Sequence, residues 1–203
     1  MEKLDEKKLH KELEMPKEEL FIEDIVDGLN EIGITESESV DKIWNKCDVV
    51  IDSNKDVLRK RYQLSYEEAW IISTYTHGNG NPEESPYIRI NEKLRGNVYE
   101  DQIRNPKSYL RVLLRALRKL SRTKPQTLYR SIRNDTQIYV EGEVITWKGF
   151  TSTSLSVKVT KNFITNPETK KVSGTLFEIR DMWGYDIADF SCHPVEKGFL
   201  KNT

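Results

Sequence analysis

After residue 120 the spacing of the apolar residues changes character, and that change limits the fold more than any other feature of this 203-residue chain. Upstream the spacing is helical. It predicts helices over Phe21 to Leu29, Val40 to Val50, Tyr66 to Thr76 (opened by Ser65 and closed by Gly78) and Tyr87 to Arg95. A last, basic helix carries Leu110, Leu113, Leu114, Leu117 and Leu120 on one side. Between these, the run from His77 to Pro82 is turn chemistry with no room for an element. Downstream come short runs rich in β-branched and aromatic residues: Leu128 to Ile132, Gln137 to Val140, Val144 to Trp147, Gly149 to Ser154, Thr175 to Arg180 and Ile187 to Ser191. Helices first and strands second is an α+β order, and it excludes a repeating βαβ unit.

The near-neutral total, 32 Lys+Arg against 33 Asp+Glu, hides an asymmetry. Residues 1 to 53 hold 16 acidic and 7 basic side chains, whereas 104 to 133 hold 10 basic and no acidic ones. The acidic stretch, with a thin stripe of Leu4, Leu9, Leu13 and Leu20, predicts a helical N-terminal appendage over 1–60 ahead of a domain over 61–203. Arg111, Arg115, Arg118 and Lys119 fall on the face of the basic helix opposite its leucines, which predicts a solvated surface. The net charge and the absence of an aromatic recognition pattern argue against nucleic acid as a partner. Cys47 and Cys192 match no metal or redox spacing and predict two buried or free thiols, with a reducing compartment as the default. No run approaches the roughly 18 apolar residues of a membrane span, and the N-terminus lacks the order of a secretory signal, so membrane contact is not expected and the chain reads as cytoplasmic. His10, His77 and His193 share no ligand spacing, so no metal is expected. Trp44, Trp70, Trp147 and Trp183 read as core or turn packing, and Asp135, Glu141 and Glu143 as solvated positions of a hairpin.

Three pieces of the β-rich half form a set. They are Leu128-Tyr129-Arg130, a strand ending in arginine; Gly149-Phe150-Thr151-Ser152-Thr153-Ser154; and the terminal run Phe190-Ser191-Cys192-His193-Pro194-Val195-Glu196-Lys197-Gly198-Phe199-Leu200. In this order the chain resembles the arginine-specific mono-ADP-ribosyltransferases of the R-S-E class, whose pattern is an arginine on an early strand, a Ser-Thr-Ser on a second and a Glu-x-Glu on a later one. Ile72 to Thr76, Tyr87 to Arg95 and Leu114 to Leu120 resemble the helical half of that family, so the resemblance spans about 66 to 200. It implies a split, mostly antiparallel β-core with a cleft that takes NAD in a bent form.

Elementary chemistry suits the parts. A guanidinium fixed at a strand end can hold a pyrophosphate through charge-assisted hydrogen bonds, and Arg130 fits that role. Alternation puts Ser152 and Ser154 on one strand face and Thr153 on the other. The resemblance assigns Ser152 to the site, gives the backbone of Ser131 to the nicotinamide amide, and makes Phe163 the candidate aromatic for the nicotinamide ring, with core packing as its alternative. NAD is thereby implied as substrate, with a protein arginine as acceptor. Breaking the nicotinamide–ribose bond passes through an oxocarbenium-like state that a carboxylate should stabilise. Aligned on Glu-x-Glu-hydrophobic-Leu, Glu196 takes the acceptor-orienting place and Gly198 the catalytic one. A two-residue slip would carry Glu196 into the catalytic place on the same strand face, leaving Pro194 beside it. The unslipped register puts Phe199 and Leu200 where the family has its hydrophobic pair. The expected activity is ADP-ribose transfer, lost if Gly198 stands for the carboxylate. The alternatives are a non-catalytic NAD-binding or protein-interaction module of the same fold. Relatives continue past this motif, so the end at Thr203 reads as a fragment or a degenerate member.

Overall fold

In a computed structural model, residues 22–34, 37–77, 85–95, 107–124, 126–133, 139–192 and 198–202 are described. Among them, α1 (Ile22–Glu31), α2 (Ser37–Val57, running into a π-helical turn at Leu58–Tyr62), α3 (Tyr66–Thr76), α4 (Pro86–Leu94) and α5 (Lys107–Lys119) precede every strand. Local chemistry sets the starts. The Ser65 hydroxyl accepts from Glu68 N while the Glu68 carboxylate accepts from Ser65 N, a reciprocal cap at the head of α3. Ser85 caps α4, where Pro86 occupies the first turn. Glu31, at the end of α1, accepts from both the backbone N and the hydroxyl of Ser108, each at 2.8 Å, and so places a carboxylate at the N-terminus of α5.

The helices enclose one core, with α3 at its centre: every residue from Glu68 to Tyr75 is buried. Ile25, Leu29 and Ile32 of the α1 region, Ile43, Cys47 and Ile51 of α2, and Leu113 and Leu117 of α5 pack around it, joined by Phe150, Ile187 and Phe190 from the strand-rich half. Trp44 and Trp70 meet with ring centroids 4.5 Å apart. Gly28 lets α1 approach α5: a β-carbon there would lie 3.0 Å from the backbone of Tyr109. From Ile25 onward the apolar residues ahead of residue 60 pack into the same core as α3 and α5. Residues 1–21, including the leucine stripe of the acidic stretch, lie outside the described residues. The basic face of α5 differs from expectation. Lys119 Nζ sits 2.6 Å and Arg115 Nε 3.5 Å from the carboxylate of Glu68, whose side chain is 1% exposed. No helix among the described residues is long and apolar enough to cross a membrane.

The strands β1 (Gln126–Ile132), β2 (Phe150–Ser154), β3 (Thr175–Met182), β4 (Tyr185–Asp186) and β5 (Gly198–Asn202) form one sheet in the order β3-β1-β2-β5-β4, antiparallel throughout. The implied split survives only as a weak seam: β1 and β2 share a single register pair, Tyr129 with Ser154. Two local expectations change. Tyr139 to Trp147 is irregular and Val144 is 98% exposed, because both edges of β1 are already taken by β2 and β3 and the β-formers have no ladder to join. Residues 137 and 138 lie outside the described residues. Ile187 to Ser191 is a short 3-10 turn at Ala188–Phe190, where Asp186 accepts from Ala188 N at 3.0 Å and offers the backbone a local alternative to a strand. Val157–Asn162 is a helix, α6, despite its β-branched residues, because Ser156 caps it through Val159 N.

Candidate active site

Arg130 projects from β1 beside the seam, and its Nη1 donates to the carbonyl oxygen of Ser152 at 2.9 Å. The bond ties the two expected motifs together across the stretch where the strands part. Trp147 lies over the guanidinium, 5.7 Å from its ring centroid to Cζ. The indole meets Phe177, the register partner of Arg130 on β3, edge-on at 5.1 Å, and donates from Nε1 to the Tyr139 hydroxyl at 3.2 Å. Tyr139 in turn stands perpendicular to Phe177. Trp147, itself held by Phe177 and Tyr139, therefore covers the arginine. Reading Trp147 as core or turn packing gives it no such part, and the irregular path of 139–147 is what brings it there.

Along β2, Thr151, Thr153 and Ser154 are buried and Ser152 is half-buried, so Ser152 is the more open of the hydroxyls. The buried Tyr75 phenol accepts from Asn91 Nδ2 at 2.9 Å. Burial, followed by the neighbouring Tyr87, pushes that phenol well above its ordinary range, so Tyr75 stays neutral. Asn91 is the hub. Its Nδ2 also donates to Tyr87 O, and its Oδ1 accepts the first N–H of β2, Phe150 N, at 2.8 Å. Gly149, at φ +93°, makes that approach possible, since a β-carbon there would sit 2.7 Å from Asn91 Oδ1. Motif reading gave neither Asn91 nor Tyr75 a role. The signal was available: Asn91 is a polar residue on the apolar stripe formed by Tyr87, Ile90 and Leu94.

The other candidates are placed as follows. Ser131 turns its hydroxyl away to Thr160 O, at 2.7 Å, and so fastens α6 against β1. Ser154 Oγ accepts from Ser156 N at 3.1 Å and shapes the turn into α6. Phe163, at the end of α6, is 47% exposed and stands outside the core, and its carbonyl accepts from Arg133 Nε. Glu196 and His193 lie outside the described residues. The strand after them is described: β5 pairs with β2 so that Gly198 lies opposite Ser154 and Leu200 opposite Ser152. Directly opposed residues of an antiparallel pair project to the same face, so position 198 belongs to the face that carries Ser152.

Comparison with known proteins gives the same fold. A family model described as NAD:arginine ADP-ribosyltransferase matches residues 20–201. A crystal structure of the eukaryotic mono-ADP-ribosyltransferase ART2.2 superposes with a TM-score of 0.60 at 18% identity, over 96% of this chain and 76% of that one. A mutant of ART2.2 in complex with NAD gives 0.62 at 22% identity, over 88% and 74%. The ADP-ribosyltransferase HopU1 of Pseudomonas syringae pv. Tomato gives 0.56 at 18%, over 91% and 88%. No protein with a curated description matches the chain.

Proposed function

The chain belongs to the NAD:arginine ADP-ribosyltransferase family, and on that premise we propose that it binds NAD along the β1–β2 seam and transfers ADP-ribose to a protein arginine, releasing nicotinamide. The observation that carries this reading is the bond from Arg130 to the Ser152 carbonyl, which brings two residues 22 positions apart to one site. A guanidinium has five N–H donors in a rigid fork. With one of them committed to Ser152 O, the group is oriented and can still present a face to a pyrophosphate. Ser152, on the strand whose first N–H is held by Asn91, orients the nicotinamide ribose. The C–N bond to nicotinamide breaks with its electron pair leaving on the nicotinamide, and an acceptor guanidine nitrogen closes on the ribose carbon and loses a proton. Ser131 supplies backbone groups for the amide, Thr153 and Ser154 hold β2 in place, and Phe163 offers an exposed ring to the nicotinamide.

Position 198 favours a second reading. On the Ser152 face, where the resemblance calls for the carboxylate that stabilises the oxocarbenium-like state, the chain has glycine. Loss of such a group costs several kcal/mol of barrier, or roughly 10²–10³ in rate. The second reading is therefore a site that binds NAD and turns over poorly or not at all. One experiment separates the two. Nicotinamide release and labelling of protein arginine from isotopically tagged NAD are measured for the native chain, Ser152→Ala, Glu196→Gln and Gly198→Glu. Native activity above the Ser152→Ala level, abolished by Glu196→Gln, supports transfer with Glu196 as the working carboxylate. An inert native chain that gains turnover with Gly198→Glu supports the binding-only reading. If NAD neither binds nor reacts in any of the four, both readings fall.

A further inference from the structure

Cys47 lies within α2 and Cys192 just beyond the turn at Ala188–Phe190, 145 residues later. Nothing in their spacing suggests a pair, yet packing sets the two reduced sulfurs 3.8 Å apart in the helical core. The Cys192 side is firmly held. Its sulfur lies 3.4 Å from Ser73 Oγ and 3.6 Å from Ser73 O, and its backbone N donates to Thr76 Oγ1 at 2.9 Å. All three of these contacts come from α3, so the two thiols face each other across fixed elements. A disulfide needs a sulfur–sulfur distance of about 2.05 Å, so closing the pair takes a displacement of less than about 2 Å.

We propose that Cys47 and Cys192 form a redox-responsive dithiol that a low-molecular-weight disulfide of the glutathione type converts to an intramolecular disulfide, clamping α2 to the segment that leads into β5. Cys192 reacts first, being 7% exposed against 0% for Cys47. The environment points the same way. The hydrogen bond from Cys47, with those of His77, Ser73 and Thr76, outweighs burial and holds the Cys192 thiol below its ordinary range, whereas burial pushes Cys47 up. The Cys192 thiolate attacks one sulfur of the oxidant and expels a thiolate, leaving a mixed disulfide. Cys47, deprotonated in turn, attacks Cys192 Sγ and expels the second thiolate. Two protein thiols are oxidised, one small disulfide is reduced to two thiols, and the two protons pass to those products. The clamp closes a 145-residue loop, which constrains the unfolded chain and should raise the melting midpoint by roughly 5–10 °C. Cys192 is six positions ahead of Gly198, so the strand beside the Ser152 strand is tethered to the helical half.

The full chain is equilibrated in buffers of rising oxidised-to-reduced glutathione ratio, acid-quenched, treated with N-ethylmaleimide in denaturant and weighed intact. The expected product is a monomer that takes no maleimide, yields a cross-linked peptide pair containing Cys47 and Cys192, melts higher, and reverts with dithiothreitol. Cys47→Ser and Cys47→Ala should each stop at a glutathione adduct on Cys192. Two maleimides at every ratio, intermolecular dimers alone, or glutathione on both sulfurs without a cross-link would overturn the proposal. The readout is the mass of the chain without NAD, so it stands apart from any failure of the transfer reading.

Discussion

Arg130 carries more constraint than an arginine at a strand end usually does. It is bonded to Ser152 O and covered by Trp147, which is itself fixed by Phe177 and Tyr139. This makes the shape of the guanidinium matter as well as its charge. Lysine would keep the charge but lose the fork and the planar stacking surface. Arg130→Lys should therefore leave the fold intact and weaken NAD binding about tenfold, a loss of about 1.4 kcal/mol, as read by isothermal titration. Equal affinity in the variant would show that only the charge is used. At this scale the sequence exposes the motif residues and hides their supports. Arg130 and Ser152 stand in recognisable runs, whereas Trp147 reaches the guanidinium only because 139–147 fails to become a strand. Asn91 acts through three bonds that span 59 positions at the widest. Such supports are tertiary facts, and no local pattern contains them.

Between elements, α4 is joined to β2 by one side chain. Asn91→Ala would remove the acceptor of Phe150 N and the donor to the Tyr75 phenol, leaving both groups buried without these partners. The cost should be about 2–4 kcal/mol, which for a chain of this size is a fall in melting midpoint of about 5–15 °C. Asn91→Asp, which keeps the acceptor and loses the donor, should fall between the two. A variant that melts like the native chain would mean that β2 is held in place without Asn91. The elements themselves were largely legible, since α3, α4, α5, β1, β2 and β3 lie within a few residues of where periodicity puts them. The misplaced strands have local causes. Val144 to Trp147 has β-forming composition but no free sheet edge to join, and at Ile187 to Ser191 the Asp186 carboxylate accepts from Ala188 N and draws the backbone into a 3-10 turn. The basic face of α5 reads as solvated because its partner is remote in sequence: Glu68, which pairs with Arg115 and Lys119, belongs to α3.

For the molecule as a whole, the acidic first quarter concealed a structural role. A composition dominated by Asp and Glu reads as an appendage, although Ile25, Leu29, Ile32, Ile34, Ile43, Cys47, Ile51 and Leu58 are all buried in the core that surrounds α3. Burying one such aliphatic side chain contributes about 1.5–3 kcal/mol. Even at the low end, the seven aliphatic residues of this set together contribute on the order of 10 kcal/mol, comparable to the 5–15 kcal/mol that separates a typical native domain from its unfolded state. Removing residues 1–60 would also strip cover from Trp70, Ile71 and Leu113 and expose a contiguous apolar surface on α3 and α5. A chain of residues 61–203 should therefore show no cooperative thermal transition, should bind hydrophobic dyes, and should be digested rapidly by proteases under conditions in which the full chain is resistant. If the shortened chain instead melts cooperatively and gives dispersed amide resonances, the strand-rich half with α3 to α5 is self-sufficient, and the helices before residue 60 contribute cover to a fold that does not depend on them.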